Sequence, residues 1–326
     1  MRAHNDTDML WLRHERLLEE RIQGWILDIT DNMPNIIPAR RCFHQLEPLR
    51  VYLNVTNLKK KGTAFFSLRF MGQEVAEICV NKKNVHLQIN KKHVRNNDKW
   101  FKFTKIKEGS YLWTGIEAKT LRAHFTQIGK QSKLIQTGTP EHEVETSIIK
   151  EMSQKRGKDK FAGKFSSIQP VKLAGCPFQM PTPISGSSGV PVISSGHIDI
   201  LARRRVGNKV RLSVWELKKP GITGPAVDKA IKQAIIYASS LIKILRSSCG
   251  KDWYNLFGFS KGIPEKLDVD AIVAISKNEK RKFDEQIIKY REKLPLSIGN
   301  DNISLFVSYY NDSHTPGPPQ EVLPVG

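Results

Sequence analysis

The sequence of 326 residues has no apolar run long enough to cross a bilayer as a helix, since a span needs about 18 or more consecutive apolar residues. The opening stretch MRAHNDTDML lacks the apolar core of a secretory signal, so a cytoplasmic location is expected. Cysteine is scarce. Cys42, Cys79, Cys176 and Cys249 lie far apart and no C-x-x-C pair exists, which leaves zinc and iron–sulfur sites without a framework. Scattered cysteines in a reducing compartment read as small core residues. Internal repeats and helicase motifs are also missing. Acidic residues are in short supply: 32 Asp and Glu stand against 52 Lys and Arg, for a net charge of +20. Such a surplus attracts polyanions over long range, and nucleic acid is the expected partner because neutralising phosphates releases counterions. The alternative is a basic protein kept soluble by its charge.

What is present suffices for a core. Hydrophobic residues make up 39% of the chain, and its length allows about two domains. Residues 8–29 carry Leu10, Leu17, Leu18, Ile22, Trp25 and Ile26 at loosely helical spacing. The runs LRVYLNV (49–55), AFFSLRF (64–70), EVAEICV (74–80) and VHLQI (85–89) read as strands, separated by KKKG and NKKN turns. Ala118, Leu121, Phe125 and Ile128 then recur as one helix face. The polar stretch 129–140 marks a change of texture, and the expected domains are 1–135, 136–312 and a flexible tail, 313–326.

The second half predicts a helix over 141–154, with Glu145, Ile148, Ile149 and Met152 on one face. A long irregular stretch follows, ending in the Pro-, Gly- and Ser-rich 176–196 and predicted to form surface loops. From 141 onward the order is helix, strand, strand, helix, strand, helix, strand. The expected fold class is α/β within an overall α+β chain: a C-terminal mixed sheet flanked by helices, and a basic, β-rich N-terminal domain.

The chemistry is carried by HIDILARRRVGNKVRLSVWELKKP (197–220). Strand alternation puts Val214, Glu216 and Lys218 on one face. Pairing the two strands around Gly207–Asn208 brings Asp199 beside Glu216. Two unpartnered neighbouring carboxylates repel, and a hard divalent cation removes the conflict. Mg²⁺, with Mn²⁺ as a substitute, would polarise a phosphoryl oxygen and activate a water. Lys218 could hold that water or neutralise developing charge. A structural bridge between Asp199 and Lys218 is the plain alternative. Gln233 and Tyr237, four apart, share a helix face that could equally be core packing.

The series G-H-I-D (196–199), E-L-K (216–218) and Q-A-I-I-Y (233–237) resembles the G-x-x-D, (D/E)-x-K and Q-x-x-x-Y motifs of RecB-like nucleases in the PD-(D/E)XK superfamily, over about residues 141–310. The resemblance implies a restriction-endonuclease-like core of a helix, three strands, a helix and a strand. It implies metal ligation by Asp199 and Glu216, with the Leu217 carbonyl as a further ligand, and a catalytic role for Lys218. It also implies a supporting acid on the preceding helix, Glu145 with Glu141 in reserve, and a site-lining role for Gln233 and Tyr237. The chain departs from the pattern in having Ile198, not proline, before Asp199. His197 is expected to point away from the site.

In the N-terminal half, the basic loops supply Lys59, Lys60, Lys61, Lys82, Lys83, Lys91, Lys92 and Arg95 as expected phosphate contacts, with Arg69, Lys99, Lys102 and Lys105 nearby. Trp100, Phe101, Phe103, Tyr111 and Trp113 read mainly as core and secondarily as stacking platforms. The functional expectation is a Mg²⁺-dependent DNA endonuclease of a restriction or defence type, with no membrane association. Cutting both strands of a duplex would favour a homodimer. The alternatives are a nuclease-derived DNA-binding module in which catalysis is incidental, or an RNase on the same fold.

Overall fold

The structure is a computed structural model. It describes residues 3–43, 48–55, 62–81, 84–101, 106–130, 140–153, 167–313 and 316–324, without the side chains of 98, 99 and 140. In chain order the elements are α1 (Ala3–Ala39), β1 (Leu49–Leu53), β2 (Thr63–Phe70), β3 (Gln73–Asn81), β4 (Val85–Ile89), α2 (Lys91–Asn96), α3 (Asp98–Phe101), β5 (Gly109–Leu112), α4 (Ile116–Lys130) and α5 (Pro140–Ser153). There follow β6 (Ile168–Pro170), β7 (Lys172–Leu173), β8 (Cys176–Pro177), β9 (Met180–Ser185), β10 (Val192–Ile198), β11 (Ile200–Val206), β12 (Lys209–Leu217) and α6 (Gly224–Arg246). The last elements are α7 (Gly250–Leu256), β13 (Asp268–Ser276), α8 (Lys280–Arg291), β14 (Leu296–Ile298), β15 (Asp301–Tyr310) and β16 (Gln320–Glu321). No helix among the described residues is long and apolar enough to cross a membrane.

The chain forms two compact units, and they interleave. The larger comprises 1–26, 144–171 and 179–326; the smaller comprises 27–143 and 172–178. This division differs from a single cut between 135 and 136. The first stretch of α1 and the short β7–β8 pair each join the unit that lies across that cut in sequence.

The smaller unit is built on an antiparallel sheet in the order β1-β2-β3-β4-β5. The alternating runs that predicted these strands bury Ala64, Phe66, Leu68, Val75, Ile78 and Leu87 completely. Helix α4 turns Ala118, Leu121 and Phe125 inward. Phe70, Trp100 and Phe125 pack edge to face or tilted, with Phe70 5.0 Å from each of the other two ring centres. Trp100, Phe101 and Trp113 are buried core residues and not stacking platforms.

The larger unit holds a mixed sheet in the order β14-β15-β13-β12-β11-β6, with β16 on the outer part of β15. Strands β6, β11 and β12 form an antiparallel meander. The meander turns at Gly207–Asn208, where Val206 pairs with Lys209 and Gly207 has φ +59°. A positive φ at the first of two loop residues is what a tight hairpin needs, and glycine adopts it without strain. After β12 the chain crosses through α6 and returns as β13, parallel to β12, and β15 lies parallel to β13. Helix α6 begins with Pro225 in its first turn and buries most of its length, including Ala230, Ala234 and Ala238. The small residues let it sit close to the sheet. Buried Ser239 and Ser240 return their hydroxyls to the Ile235 and Ile236 carbonyls at 2.8 and 2.9 Å, so no polar group is stranded.

Two expectations are corrected here. The 176–196 stretch is not surface loop throughout: Met180–Ser185 is a fully buried strand, paired antiparallel with Val192–Ile198. Prolines 181 and 183 are tolerated because this strand pairs on one side only. In the tail, the described residues 316–322 are tied to β15. Gln320 pairs with Val307, Val322 N–H donates to the Leu305 carbonyl at 2.8 Å, and Gly317 bonds Tyr309 and Ser308.

Candidate active site

Asp199 sits in the one-residue break between β10 and β11. The antiparallel register, in which Ile200 faces Trp215, carries on to place Asp199 opposite Glu216 at the end of the hairpin. The Leu217 N–H donates to Asp199 Oδ2 at 2.8 Å. Glu216 is 1% exposed, and Lys218 Nζ donates to its Oε1 at 2.5 Å. The Lys218 side chain is itself largely buried, so the pair works in a medium of lower dielectric than water. Glu216 is thus one partner of the Lys218 ammonium.

The backbone at Lys218 is held from both sides. Its N–H donates to the Ala274 carbonyl at 3.0 Å, and its carbonyl accepts from Tyr310 Oη at 2.5 Å. Tyr310 is fully buried at the end of β15 and was not foreseen. The run Phe306, Ser308, Tyr310 does share one strand face by alternation, but nothing local ties that hydroxyl to a loop 92 residues away. The following turn is fixed by Glu279, whose Oε1 accepts from the Gly221 N–H at 3.1 Å, and by Lys282, which donates to the Ile222 carbonyl at 2.8 Å.

Helix α6 covers this corner. Gln233 Nε2 donates to Tyr237 Oη at 3.4 Å. The Tyr237 hydroxyl is pushed above its ordinary range, first by burial and then by the nearby charges of Glu216 and Asp199; hydrogen bonds with Gln233 and the Gly186 backbone oppose this. Tyr237 therefore lies within electrostatic reach of both acids. Gly196, the first residue of the G-x-x-D motif, has a physical reason to be glycine. A β-carbon there would come within 2.7 Å of Thr182 Oγ1 and 3.0 Å of the Tyr237 ring. Any side chain would crowd β9 and the Tyr237 ring.

Glu145 lies on α5 in the larger unit and is 3% exposed, so it is not the solvated helix carboxylate that its polarity alone would suggest. Glu141 is half-buried and falls in the smaller unit. Among the described residues no three His, Cys, Asp or Glu side chains converge as a ligand set. Asp199, Glu216 and a backbone carbonyl fit Mg²⁺. That ion keeps several waters and is held by one or two protein carboxylates together with substrate phosphate. His197 is exposed.

Of the expected phosphate contacts, Lys91, Lys92 and Arg95 are exposed on α2. Lys59, Lys60, Lys61, Lys82 and Lys83 lie outside the described residues, as do Lys102, Phe103 and Lys105 and the side chain of Lys99. Arg69 lies over the Tyr52 ring, 4.3 Å from its centre.

Comparisons with known protein families, with curated proteins and with solved structures each returned no match.

Proposed function

We propose that the chain is a divalent-metal-dependent nuclease of the PD-(D/E)XK type, acting on DNA. The observation that carries this reading is the hairpin end: Asp199 opposite Glu216, Lys218 bonded to Glu216, and Tyr237 above them within reach of both charges. The order α5, β6, β11, β12, α6, β13 also supports it, being a helix, an antiparallel meander, a helix and a parallel strand. The β7–β8 and β9–β10 pairs are insertions between the first two strands of that core. The net charge of +20 supports a polyanionic substrate.

In this reading Asp199, Glu216 and the Leu217 carbonyl would hold Mg²⁺. The bound ion would polarise the scissile phosphoryl group and acidify a water. The Leu217 N–H fixes Asp199 Oδ2 and so orients that carboxylate. Lys218 balances the Glu216 charge and would offer its ammonium to the water or the phosphate of a bound substrate. Tyr310 and Ala274 keep the lysine backbone still. Gln233 and Tyr237 line the roof.

A second reading, a nuclease-derived nucleic-acid-binding module, is favoured by the two-carboxylate set and by the tight Lys218–Glu216 pair. Plasmid cleavage in Mg²⁺, in Mn²⁺ and with chelator separates the two, and matched RNA substrates separate a DNase from an RNase. Metal-dependent nicking or linearisation that is lost in Asp199→Asn is the expected result. Cutting retained by that variant in Mg²⁺ rejects the nuclease assignment.

A further inference from the structure

At the other end of the same sheet lies a half-enclosed cleft of about 520 Å³, within the roughly 300–1,000 Å³ range of ligand pockets. It opens where β12 and β13 begin, and the 257–267 connection forms its wall. Lys209, Arg211, Lys261 and Lys266 line it, against the single acid Asp268. Arg211 is engaged by Asp268 at 3.6 Å and Asp270 at 3.8 Å, which leaves three exposed lysines as the uncompensated charge. Tyr254 and Phe259 stack inside it with ring centres 4.3 Å apart and planes at 9°. Tyr254 is buried behind Phe259, which is half-exposed and lines the cleft. The wall is held in place, since Arg203 donates to the Gly258 carbonyl at 3.4 Å.

Lysines around a backed aromatic ring are the two ingredients of a single-strand platform: cations for the phosphates and a flat face for an unpaired base. A base inside a duplex offers no such face. We propose that this cleft is a second nucleic-acid contact that seats an unpaired base on Phe259 and its flanking phosphates on Lys209, Lys261 and Lys266. Along β12, the seven steps from Lys209 to Glu216 span roughly 23 Å, so the contact is remote from the acidic pair. The inference rests on nucleic acid being the partner and not on cleavage.

The test is fluorescence anisotropy of the full chain with a labelled oligothymidylate and with labelled heparin, in chelator so that no cutting occurs. Lys209→Ala/Lys261→Ala/Lys266→Ala is expected to weaken oligonucleotide binding by about tenfold or more and to lower the salt slope by roughly 2. A charge-matched control on α8, Lys280→Ala/Arg281→Ala/Arg291→Ala, is expected to have a much smaller effect. Phe259→Ala should weaken oligonucleotide binding by roughly fivefold or more and leave heparin binding unchanged. Phe259→Trp should restore binding and add a fluorescence signal that the oligonucleotide quenches. Equal losses in the cleft and control triples, or a Phe259→Ala variant that binds the oligonucleotide like wild type, overturn the proposal. So does an unquenched Phe259→Trp signal. If binding follows the expected pattern and no metal supports cutting, this inference stands and the nuclease reading falls.

Discussion

The two faces of the C-terminal sheet each bury an acid against a cation, and they do so differently. In the β12–β13 register Ser213 lies beside Asp270 and Glu216 beside Val273, so Asp270 and Glu216 point to opposite faces. Asp270 is fully buried within β13, two residues from its start, and is bound by Arg204 at 2.9 Å; Arg204 in turn lies over the Phe306 ring. Its carboxyl is nonetheless raised above the ordinary aspartate value, because burial outweighs the attraction of Arg204 and Arg211. Glu216 sits at a strand end, beside a second carboxylate, a backbone turn and a helix roof. Burying an acid with a partner is therefore not enough to define a site. Asp268, the second acid on the Asp270 face, shares Arg211 with it; what distinguishes the Glu216 face is a second acid opposite it at the hairpin end, with the neighbouring backbone fixed by distant groups.

The comparison can be broken most sharply by cleavage. Asp199→Asn and Glu216→Gln are expected to lower metal-dependent plasmid cutting by roughly a hundredfold or more, whereas Asp270→Asn should leave cutting per folded molecule within a few-fold of wild type. Equal losses from both faces would erase the distinction. Stability should show the reverse pattern. Arg204→Ala strips the closer partner from a buried carboxylate and should cost about 3 kcal/mol in urea unfolding at neutral pH. The raised Asp270 carboxyl gives this cost a pH signature. A folded-state value above the unfolded one means stability is lost as pH rises between them, and removing Arg204 raises the folded value further. The deficit of Arg204→Ala should therefore shrink on acidification.

Smaller effects refine the picture. Tyr310→Phe removes the hydroxyl that holds the Lys218 carbonyl, at an expected cost of about 1 kcal/mol, together with a fall in the rate of cutting that exceeds any change in DNA affinity. Asp228, on α6, receives Tyr290 Oη at 2.7 Å and Lys232 at 3.0 Å and also pairs with Lys289. Burial alone would raise its carboxyl, but these partners hold it below the ordinary value of 3.8. Its contribution is present above that value and lost as pH falls through the lower folded one. Asp228→Asn should thus reduce Tm by a few degrees at neutral pH and by less in strong acid.

How much could be read from the sequence followed the range of the forces involved. The β11–β12 hairpin, α6 and β13 were legible, because alternation, a Gly–Asn turn and an apolar helix face are local signals. The pairing of Asp199 with Glu216 came with them, since the short turn leaves one register. Strand β9 was hidden because Pro181 and Pro183 carry loop chemistry, and only its pairing with Val192–Ile198 makes it a strand. Strand β16 was hidden because its order comes from bonds to Leu305, Val307 and Ser308, a dozen or so residues earlier. The Tyr310–Lys218 bond and the Arg204–Asp270 pair span 92 and 66 residues, and no local pattern encodes them. Glu145 was placed on the buried face of its helix by periodicity, but no spacing could tell whether it would reach the other acids.

The path of the chain bears on how this molecule can be taken apart. Residues 27–143 read as a module inserted after the first stretch of α1, and that stretch supplies Asp8 to Lys243 and Arg21 to the Pro183 carbonyl. A truncation starting near residue 136 would therefore strip a structural helix from the unit it was meant to isolate. Deleting 27–143 would keep the contacts of 1–26 but leave 172–178, the smaller unit's other segment, behind.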